Sequence, residues 1–206
     1  MKKDFTAKIV TLNEVYSVTH KLATQIMNSS VPFDSVIAIA RGGMLPARLI
    51  CDFLNIHQLS SIQIKHYGSG AEELDEVEIV DPLNINIDRK NVLLIDDVND
   101  TGKTLAAAIE HIQSRNPQVL KTAVLHEKSH TRVNADFSVE TLKKWKWLIY
   151  QWAVTEDVLK FLIKDEKLAE SNEVIQSHLA EKYNLHADPE LLDKIMQMKD
   201  NYTPDS

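Results

Sequence analysis

Apolar runs along the chain alternate with stretches in which apolar residues recur every three or four positions. The runs predict five strands, at residues 36–40, 62–65, 92–96, 122–126 and 147–150. The periodic stretches between several of them are typical of amphipathic helices that cover a sheet. This alternation predicts an α/β fold with a mainly parallel, twisted sheet flanked by helices.

Local signals mark the starts of the first helices. Thr11 followed by Glu14 forms a capping-box signature, so a first helix is predicted to run from there to about Asn28. Pro46 marks the start of a second helix, which returns from the first strand. The apolar spacing after the third strand predicts another helix over residues 105–114.

The last quarter of the chain is predicted to be helical. Apolar stripes follow one another from residue 155 onward, and Asp188-Pro189 is typical of the start of the last helix. Because the 206 residues contain no Pro- or Ser-rich linker, we expect a main domain over residues 1–154 and a helical extension over residues 155–206. The apolar stripes of the extension need a partner, which is either the main domain or a second subunit.

The periodic pattern lapses between about residues 66 and 88. There Tyr67-Gly68-Ser69-Gly70 precedes an acidic run. Long segments without clear secondary structure are often active-site lids, so a flexible lid is predicted here. The alternative is a solvated β-hairpin with no role in chemistry.

The third strand leads into the most informative segment of the chain. Its apolar residues are followed by Asp96-Asp97-Val-Asn-Asp100-Thr-Gly-Lys-Thr104. Ligands of open α/β sheets bind beyond the carboxyl ends of the strands, so the two adjacent acids are expected in a crevice. Backbone N–H groups and hydroxyls at residues 100–104 open the next helix, and a helix N-terminus favours a dianion. The segment therefore predicts a site for a phosphorylated sugar.

Spacing excludes two other motifs. A Walker A loop needs a glycine five residues before Gly102, where Asp97 stands. An EF-hand loop counted from Asp97 needs a bidentate Glu at its twelfth position, where Ala108 stands. We therefore expect neither a nucleotide kinase nor a calcium loop.

The glycines are confined to three loops. All five lie at positions 42, 43, 68, 70 and 102, although average usage of about 7% would give roughly fourteen in a chain of this length. Because glycine allows the backbone to approach a ligand closely, this distribution indicates loops built for binding, with ordinary turns as the alternative. Arg41 precedes the first pair, and its guanidinium has a fork of donors that suits phosphate oxygens.

Residues 92–105 closely resemble the phosphoribosyl diphosphate (PRPP) motif of type I phosphoribosyltransferases. Asp100-Thr101-Gly102-Lys103-Thr104 is similar to the branch that uses hypoxanthine, guanine or xanthine. The resemblance spans about residues 10–155. It implies a purine-salvage enzyme that transfers the 5-phosphoribosyl group from PRPP to purine N9 with Mg²⁺, forming a nucleoside monophosphate and pyrophosphate.

The resemblance also implies roles for particular residues. Asp96 and Asp97 hold the ribose hydroxyls and meet Mg²⁺ indirectly or through PRPP, while Asp100 is the candidate acid/base at purine N7. The residues that bind the 5-phosphate are Asp100, Thr101, Gly102, Lys103 and Thr104. The residues that bind pyrophosphate are Arg41, Gly42 and Gly43. Tyr67 belongs to the lid.

Two further segments resemble the base site of the family. Lys128, within His126-Glu-Lys-Ser-His130, matches the lysine that donates to purine O6, whereas adenine would need an acceptor there. The segment 145–152 resembles the Trp-Ile-x-x-Pro-Trp sequence of microbial xanthine-guanine enzymes, which places Trp147 for stacking on the base and Leu148 for main-chain contacts to its edge. A zinc site at His126 and His130 is not expected, since they lie at a strand end without a nearby cysteine.

The sequence departs from the family at two positions in this last segment. Gln151 stands where the family has proline, and Ala153 stands where an acid often follows. That acid can contact metal or the base, so a second Mg²⁺ site stays open, with Glu156 or Asp157 as substitutes.

Composition limits the partners. The net charge of −7 argues against a nucleic-acid surface, and without a long apolar span no membrane contact is expected. With a single cysteine and no signal-like N-terminus, the protein is expected to be cytoplasmic, as a homodimer or homotetramer. Two alternatives stay open: a non-catalytic sensor of PRPP or nucleotides with this fold, and an adenine or orotate phosphoribosyltransferase.

Overall fold

The computed structural model describes residues 5–67 and 73–202, and for residues 66, 67 and 73–76 it describes the backbone only. The strands are β1 Ala7–Val10, β2 Ser35–Ala40, β3 Leu59–Tyr67, β4 Glu73–Asp81, β5 Asn91–Asn99, β6 Val119–Lys128, β7 Phe137–Leu142 and β8 Trp147–Tyr150. The α-helices are α1 Leu12–Asn28, α2 Met44–Leu54, α3 Lys103–Gln113, α4 Val154–Lys164, α5 Asn172–Tyr183 and α6 Pro189–Met196. A short 3₁₀ helix follows at Lys199–Tyr202.

The described residues group into two compact units. One contains residues 13–67 and 73–144, and the other contains residues 5–12 and 145–202. Residues 145–153 thus group with the C-terminal helices. The domain boundary predicted at residue 155 is a different division from these two compact units, and it stays a prediction.

A six-stranded sheet forms the centre of the first unit, which we call the sheet unit. The strand order is β4-β3-β2-β5-β6-β7, and every neighbouring pair is parallel except β3 and β4. The predicted α/β fold with a mainly parallel sheet is therefore confirmed. Residues 92–95 of β5 are fully buried because helices pack on both faces of a parallel sheet.

The order of the strands creates a crevice between β2 and β5. From β2 the chain continues to β3 on one side of β2, and it later returns to place β5 on the other side. Ligands of open α/β sheets bind at such a switch point, outside the carboxyl ends of the two strands. Residues 41–43 follow the end of β2, and residues 96–102 comprise the end of β5 and the turn after it, so the fold brings the two predicted segments to the same edge.

Three strands lie where the pattern did not predict them, and one predicted strand has another partner. β1, β4 and β7 are short or rich in polar residues, so their apolar signal is weak. β8, the predicted fifth strand, pairs in parallel with β1 in a separate two-stranded sheet instead of joining the main sheet. An apolar run indicates a strand but does not identify the strand it pairs with.

Part of the predicted lid is an edge strand. β4 pairs antiparallel with β3, from Gln63 opposite Asp81 to Tyr67 opposite Glu73. For these residues the pairing corresponds to the alternative prediction of a β-hairpin. Gly68 and Gly70 lie outside the described residues, and so does the side chain of Tyr67. The closing motion of a lid stays a prediction.

The second unit, which we call the helical unit, has its own core. β1 and β8 pack with the three helices around a cluster that includes Ile149, Val158 and Leu179. Asp188 caps α6 by accepting a 2.9 Å hydrogen bond from Leu191 N, and Pro189 follows as expected. Over residues 5–67 and 73–202, no helix is long and apolar enough to span a membrane.

A buried carboxylate links α4 to α5 in the helical unit. Asp165 Oδ2 accepts a 2.7 Å hydrogen bond from the Tyr183 hydroxyl and lies 2.7 Å from His178 Nε2. Asp165 Oδ1 accepts a short hydrogen bond from Lys182 Nζ. Burial alone would raise the pKa of Asp165, but these three donors outweigh burial and lower the pKa below its ordinary value. The ionised carboxylate therefore stabilises the packing of the two helices.

Candidate active site

Two adjacent acids stand at the carboxyl end of β5. Asp97 N donates to Asp96 Oδ1 at 2.9 Å, and Val98 N donates to Asp97 Oδ1 at 2.7 Å. Burial, and then the negative charge of Asp97, raise the pKa of Asp96 well above its ordinary value. A ligand that brings positive charge or hydroxyl donors to this pair would favour its ionised form.

The glycine pair after β2 contacts these acids directly. A Cβ on Gly42 would lie 2.6 Å from Asp97 Cγ, and a Cβ on Gly43 would lie 3.0 Å from Asp96 Cα. Gly43 N also donates to Ile39 O at 2.9 Å, and the preceding peptide bond between Ala40 and Arg41 is cis. Two motifs that are more than fifty residues apart in the sequence are thus brought into contact, and side chains at residues 42 and 43 would prevent it.

The loop at residues 100–104 opens α3 as predicted, with the helix beginning two residues earlier than expected, at Lys103. Gly102 has a φ of +86°, and it is the residue that precedes the helix. The first hydrogen bond of the helix runs from Ala106 N to Gly102 O at 2.9 Å. The N–H groups at residues 103–105 precede that bond, so they are placed to face an anion at the helix start.

Lys128 and Asp100 form a buried ion pair beside this loop. Lys128 Nζ lies 2.6 Å from Asp100 Oδ2, with the two side chains only 3% and 13% exposed. His130 Nε2 lies 2.9 Å from the other oxygen, Oδ1, but that contact lacks the angles of a hydrogen bond, and Oδ1 has no hydrogen-bond donor among the described residues. The residue expected at purine O6 and the residue expected at purine N7 are therefore adjacent.

The two histidines of the segment have different partners. His126 is buried and lies 3.5 Å from Glu140, whereas His130 is half exposed beside Asp100. Among the residues that the structure describes, no three His, Cys, Asp or Glu side chains form a cluster that could hold a metal ion.

The residues expected to contact the base ring belong to the helical unit. Trp147 is partly buried and donates from Nε1 to Asp157 Oδ2 at 3.1 Å, while Leu148 is 9% exposed. Asp157 thus fixes the orientation of the indole. Glu156 instead forms an ion pair with Lys160 at 2.5 Å.

The departure at Gln151 has a structural role. Its Oε1 accepts a 2.8 Å hydrogen bond from Leu12 N, and its own N donates to Val10 O at 3.0 Å. Gln151 therefore links the ends of β1 and β8. A proline has neither the side-chain oxygen nor the backbone N–H that these two hydrogen bonds need. The next residue, Trp152, stacks on Tyr150 with their ring centroids 4.7 Å apart.

Asn99 and Glu127 are buried polar residues at the site for which the sequence pattern predicts no role. They are partners in the register of β5 and β6, and Asn99 Nδ2 donates to Glu127 Oε1 at 2.9 Å. One feature of the sequence could have identified them. Asn99 directly precedes Asp100 and Glu127 directly precedes Lys128, and parallel pairing of the two strands can place Asn99 beside Glu127.

Comparison with known proteins identifies the family. The family model described as the phosphoribosyl transferase domain matches residues 7–157. The chain belongs to this family. The family and the fold are therefore those that the sequence predicts.

Relatives of this phosphoribosyltransferase include purine enzymes. It is 33% identical over 106 residues to a hypoxanthine-guanine phosphoribosyltransferase of Aquifex aeolicus, covering 50% of this chain and 60% of that one. It is 25% identical over 143 residues to a xanthine-guanine phosphoribosyltransferase of Idiomarina loihiensis, covering 69% and 84%. The crystal structure of a purine phosphoribosyltransferase from Pyrococcus horikoshii matches with a TM-score of 0.63 and 30% identity, covering 72% and 95%.

Proposed function

We propose that this protein is a purine-salvage phosphoribosyltransferase that transfers the 5-phosphoribosyl group from PRPP to N9 of a 6-oxopurine and releases pyrophosphate. The observation that carries the proposal is the buried pair of Lys128 and Asp100 beside the phosphate loop. The N7 and O6 atoms of a 6-oxopurine are neighbouring acceptors on one edge of the base. The Lys128 ammonium supplies a donor for O6, and the Asp100 carboxyl group beside it is the candidate acid/base at N7.

The same pair disfavours adenine. Adenine presents an amino donor at position 6, which would face the Lys128 ammonium, another donor, and would find no acceptor there. A mismatch of this kind costs on the order of 1–3 kcal/mol for each unsatisfied group. Hypoxanthine, guanine and xanthine all keep the O6 acceptor.

The acid pair and the two loops supply the PRPP site. Asp96 and Asp97 would accept hydrogen bonds from the ribose hydroxyls and stabilise the positive charge that develops on the sugar as pyrophosphate leaves. The N–H groups at the start of α3, with the side chains of Thr101, Lys103 and Thr104, would hold the 5-phosphate. Arg41 and the N–H groups of the glycine pair would receive the pyrophosphate.

Mg²⁺ fits this arrangement as an ion that arrives with the substrate. Mg²⁺ prefers oxygen ligands and is usually held by one or two carboxylates together with substrate phosphates. Asp96 and Asp97 supply carboxylates at the strand end, but no third acidic or histidine ligand joins them among the described residues. When bound, the ion would neutralise charge on the departing pyrophosphate.

Three features of the base and lid sites extend the proposal. Trp147 would stack on the purine, with Asp157 holding its indole, and Leu148 would offer main-chain contacts to the base edge. Since Asp157 is engaged with Trp147 and Glu156 with Lys160, neither favours a second metal site. Tyr67, a cytoplasmic location and a homo-oligomer remain predictions from the sequence.

Turnover with separate bases tests the proposal. Purified protein is mixed with PRPP and Mg²⁺, and nucleotide and pyrophosphate are measured with hypoxanthine, guanine, xanthine, adenine and orotate in turn. We expect equal amounts of both products with one or more 6-oxopurines. Binding of PRPP without turnover on any base would instead favour the sensor, and turnover with adenine or orotate alone would favour the other transferases.

A further inference from the structure

The loop between β6 and β7, at residues 129–136, supports the phosphate loop from behind. Arg132 N donates to Thr101 O at 3.2 Å. A Cβ on Gly102 would lie 2.8 Å from Val133 N and 2.9 Å from Thr131 Oγ1, so the two loops are in close contact there. The position of Thr101 and Gly102 therefore depends on where residues 131–133 are held.

A buried amide and a buried carboxylate hold that supporting loop. Asn99 Nδ2 donates to Val133 O at 2.7 Å, and Thr131 Oγ1 lies 3.2 Å from Asn99 Oδ1. Glu127 Oε1 accepts from Ala135 N at 2.8 Å as well as from Asn99. Asn99 and Glu127 are 4% and 8% exposed.

The backbone register that pairs these two residues also places the ion pair that follows them. Because Asn99 and Glu127 are register partners on parallel strands, Asp100 and Lys128 emerge side by side from the strand ends. Burying a carboxylate is costly unless its acceptors are used. Here Glu127 Oε1 accepts both from Asn99 on the neighbouring strand and from Ala135 of the supporting loop, which indicates a positioning role.

We propose that Asn99 and Glu127 are positioning residues that hold the phosphate loop for PRPP through the loop at residues 129–136. The proposal rests on the proposed function, because it assigns residues 100–104 to the 5-phosphate. The two residues do not touch the substrate. They fix the backbone on which Thr101 and Gly102 rest.

The positioning role predicts a particular pattern of kinetic changes. The 5-phosphate does not react, so its contacts are made both in the ground state and in the transition state. Loss of such uniform binding raises KM and leaves kcat nearly unchanged. We expect Asn99→Ala and Glu127→Ala to raise the KM for PRPP by about tenfold or more, since small displacements of binding groups have large effects.

Three further variants separate positioning from general stability. Glu127→Gln keeps an acceptor oxygen in the same place, so it should restore most of the wild-type KM. Thr131→Val removes only one hydroxyl from the loop surface and should raise the KM moderately, even if the alanine variants fold poorly. Thr19→Val is the matched control, because Thr19 is a fully buried residue of α1 whose hydroxyl donates to Val15 O of the same helix at 2.7 Å.

The experiment measures kcat and KM for PRPP, with the thermal midpoint of each variant. The proposal predicts a raised KM at residues 99, 127 and 131, rescue by Glu127→Gln, and an unchanged KM in Thr19→Val even where its midpoint falls. A KM that stays at the wild-type value in Thr131→Val and in the alanine variants would overturn it, as would an equal rise in the control.

A binding measurement distinguishes failure of this inference from failure of the proposed function. If the wild-type protein forms no nucleotide with any base, the proposed function fails, and calorimetry with ribose 5-phosphate then tests the positioning role alone. Weaker binding in Asn99→Ala and Thr131→Val, with wild-type affinity in Thr19→Val, would support it. Equal affinity in all of these proteins would overturn it.

Discussion

Single side chains set how closely the loops around Asp96 and Asp97 can pack. The glycine pair lies against the acids, and Gly102 lies against the supporting loop with a positive φ. Each of these glycines is needed because its neighbours are backbone atoms or a carboxylate that other contacts fix. Asp100 and Lys128 are similarly limited, since each is the main partner of the other in a buried setting.

Substitution of Gly42 tests the close approach. In Gly42→Ala the new methyl would lie 2.6 Å from Asp97 Cγ, so either residues 41–43 or the carboxylate must move. We expect kcat/KM for PRPP to fall by on the order of a hundredfold, as displaced binding groups commonly cause. Steady-state kinetics with varied PRPP check this, and a variant with wild-type kcat/KM would contradict the assigned contact.

Substitution of Asp100 tests its role in proton transfer. Asp100→Asn keeps an acceptor for Lys128 but removes the carboxyl group that can exchange a proton with purine N7, so kcat should fall by at least about a hundredfold. The affinity for PRPP should change far less. Asp52→Asn, which makes the same change at an exposed position of α2, serves as the control and should leave kcat unchanged. Equal losses of kcat and PRPP affinity in Asp100→Asn would argue against the role.

The helices and strands show which local signals are sufficient. β2, β5 and β6 are predictable because each contains a continuous run of buried apolar residues. β4 and β7 are not, because polar residues alternate along them and their burial depends on partners distant in the sequence. The pairing of β8 with β1 is hidden for the same reason.

The packing of α4 against α5 should depend on pH through Asp165. The folded state lowers the pKa of Asp165, so the stabilisation is complete above its unfolded pKa, about 3.9, and is lost as the pH falls through the lower folded pKa. Asp165→Asn should therefore reduce the free energy of unfolding by about 1–3 kcal/mol at pH 7. The difference from wild type should shrink below about pH 4.

Urea unfolding of both proteins at pH 7 and pH 3 measures this difference. Glu190→Gln is the matched control, because Glu190 pairs with Lys194 at the exposed surface of α6. The control should leave the unfolding transition unchanged at both values. A wild-type advantage over Asp165→Asn that is the same at both pH values would contradict the account.

Over the whole chain, the sequence predicts best those parts of the site whose residues are close together in the sequence. Residues 96–104 form one continuous motif, so their chemistry is readable without a structure. The contact between the glycine pair and the acids depends on the order of strands, and the sequence suggests it only through the α/β pattern. The Asn99 and Glu127 network depends on the register between β5 and β6, which no local signal determines.

In the proposed function, Lys128 and Asp100 recognise the O6 and N7 edge of a 6-oxopurine. The most direct test is the ratio of kcat/KM for hypoxanthine to kcat/KM for adenine, since these bases differ in whether position 6 accepts or donates a hydrogen bond. A site built for hydrogen bonds rejects a mismatched analogue strongly, so we expect hypoxanthine to be favoured by at least about a hundredfold. A ratio near one, or a preference for adenine, would contradict the claim.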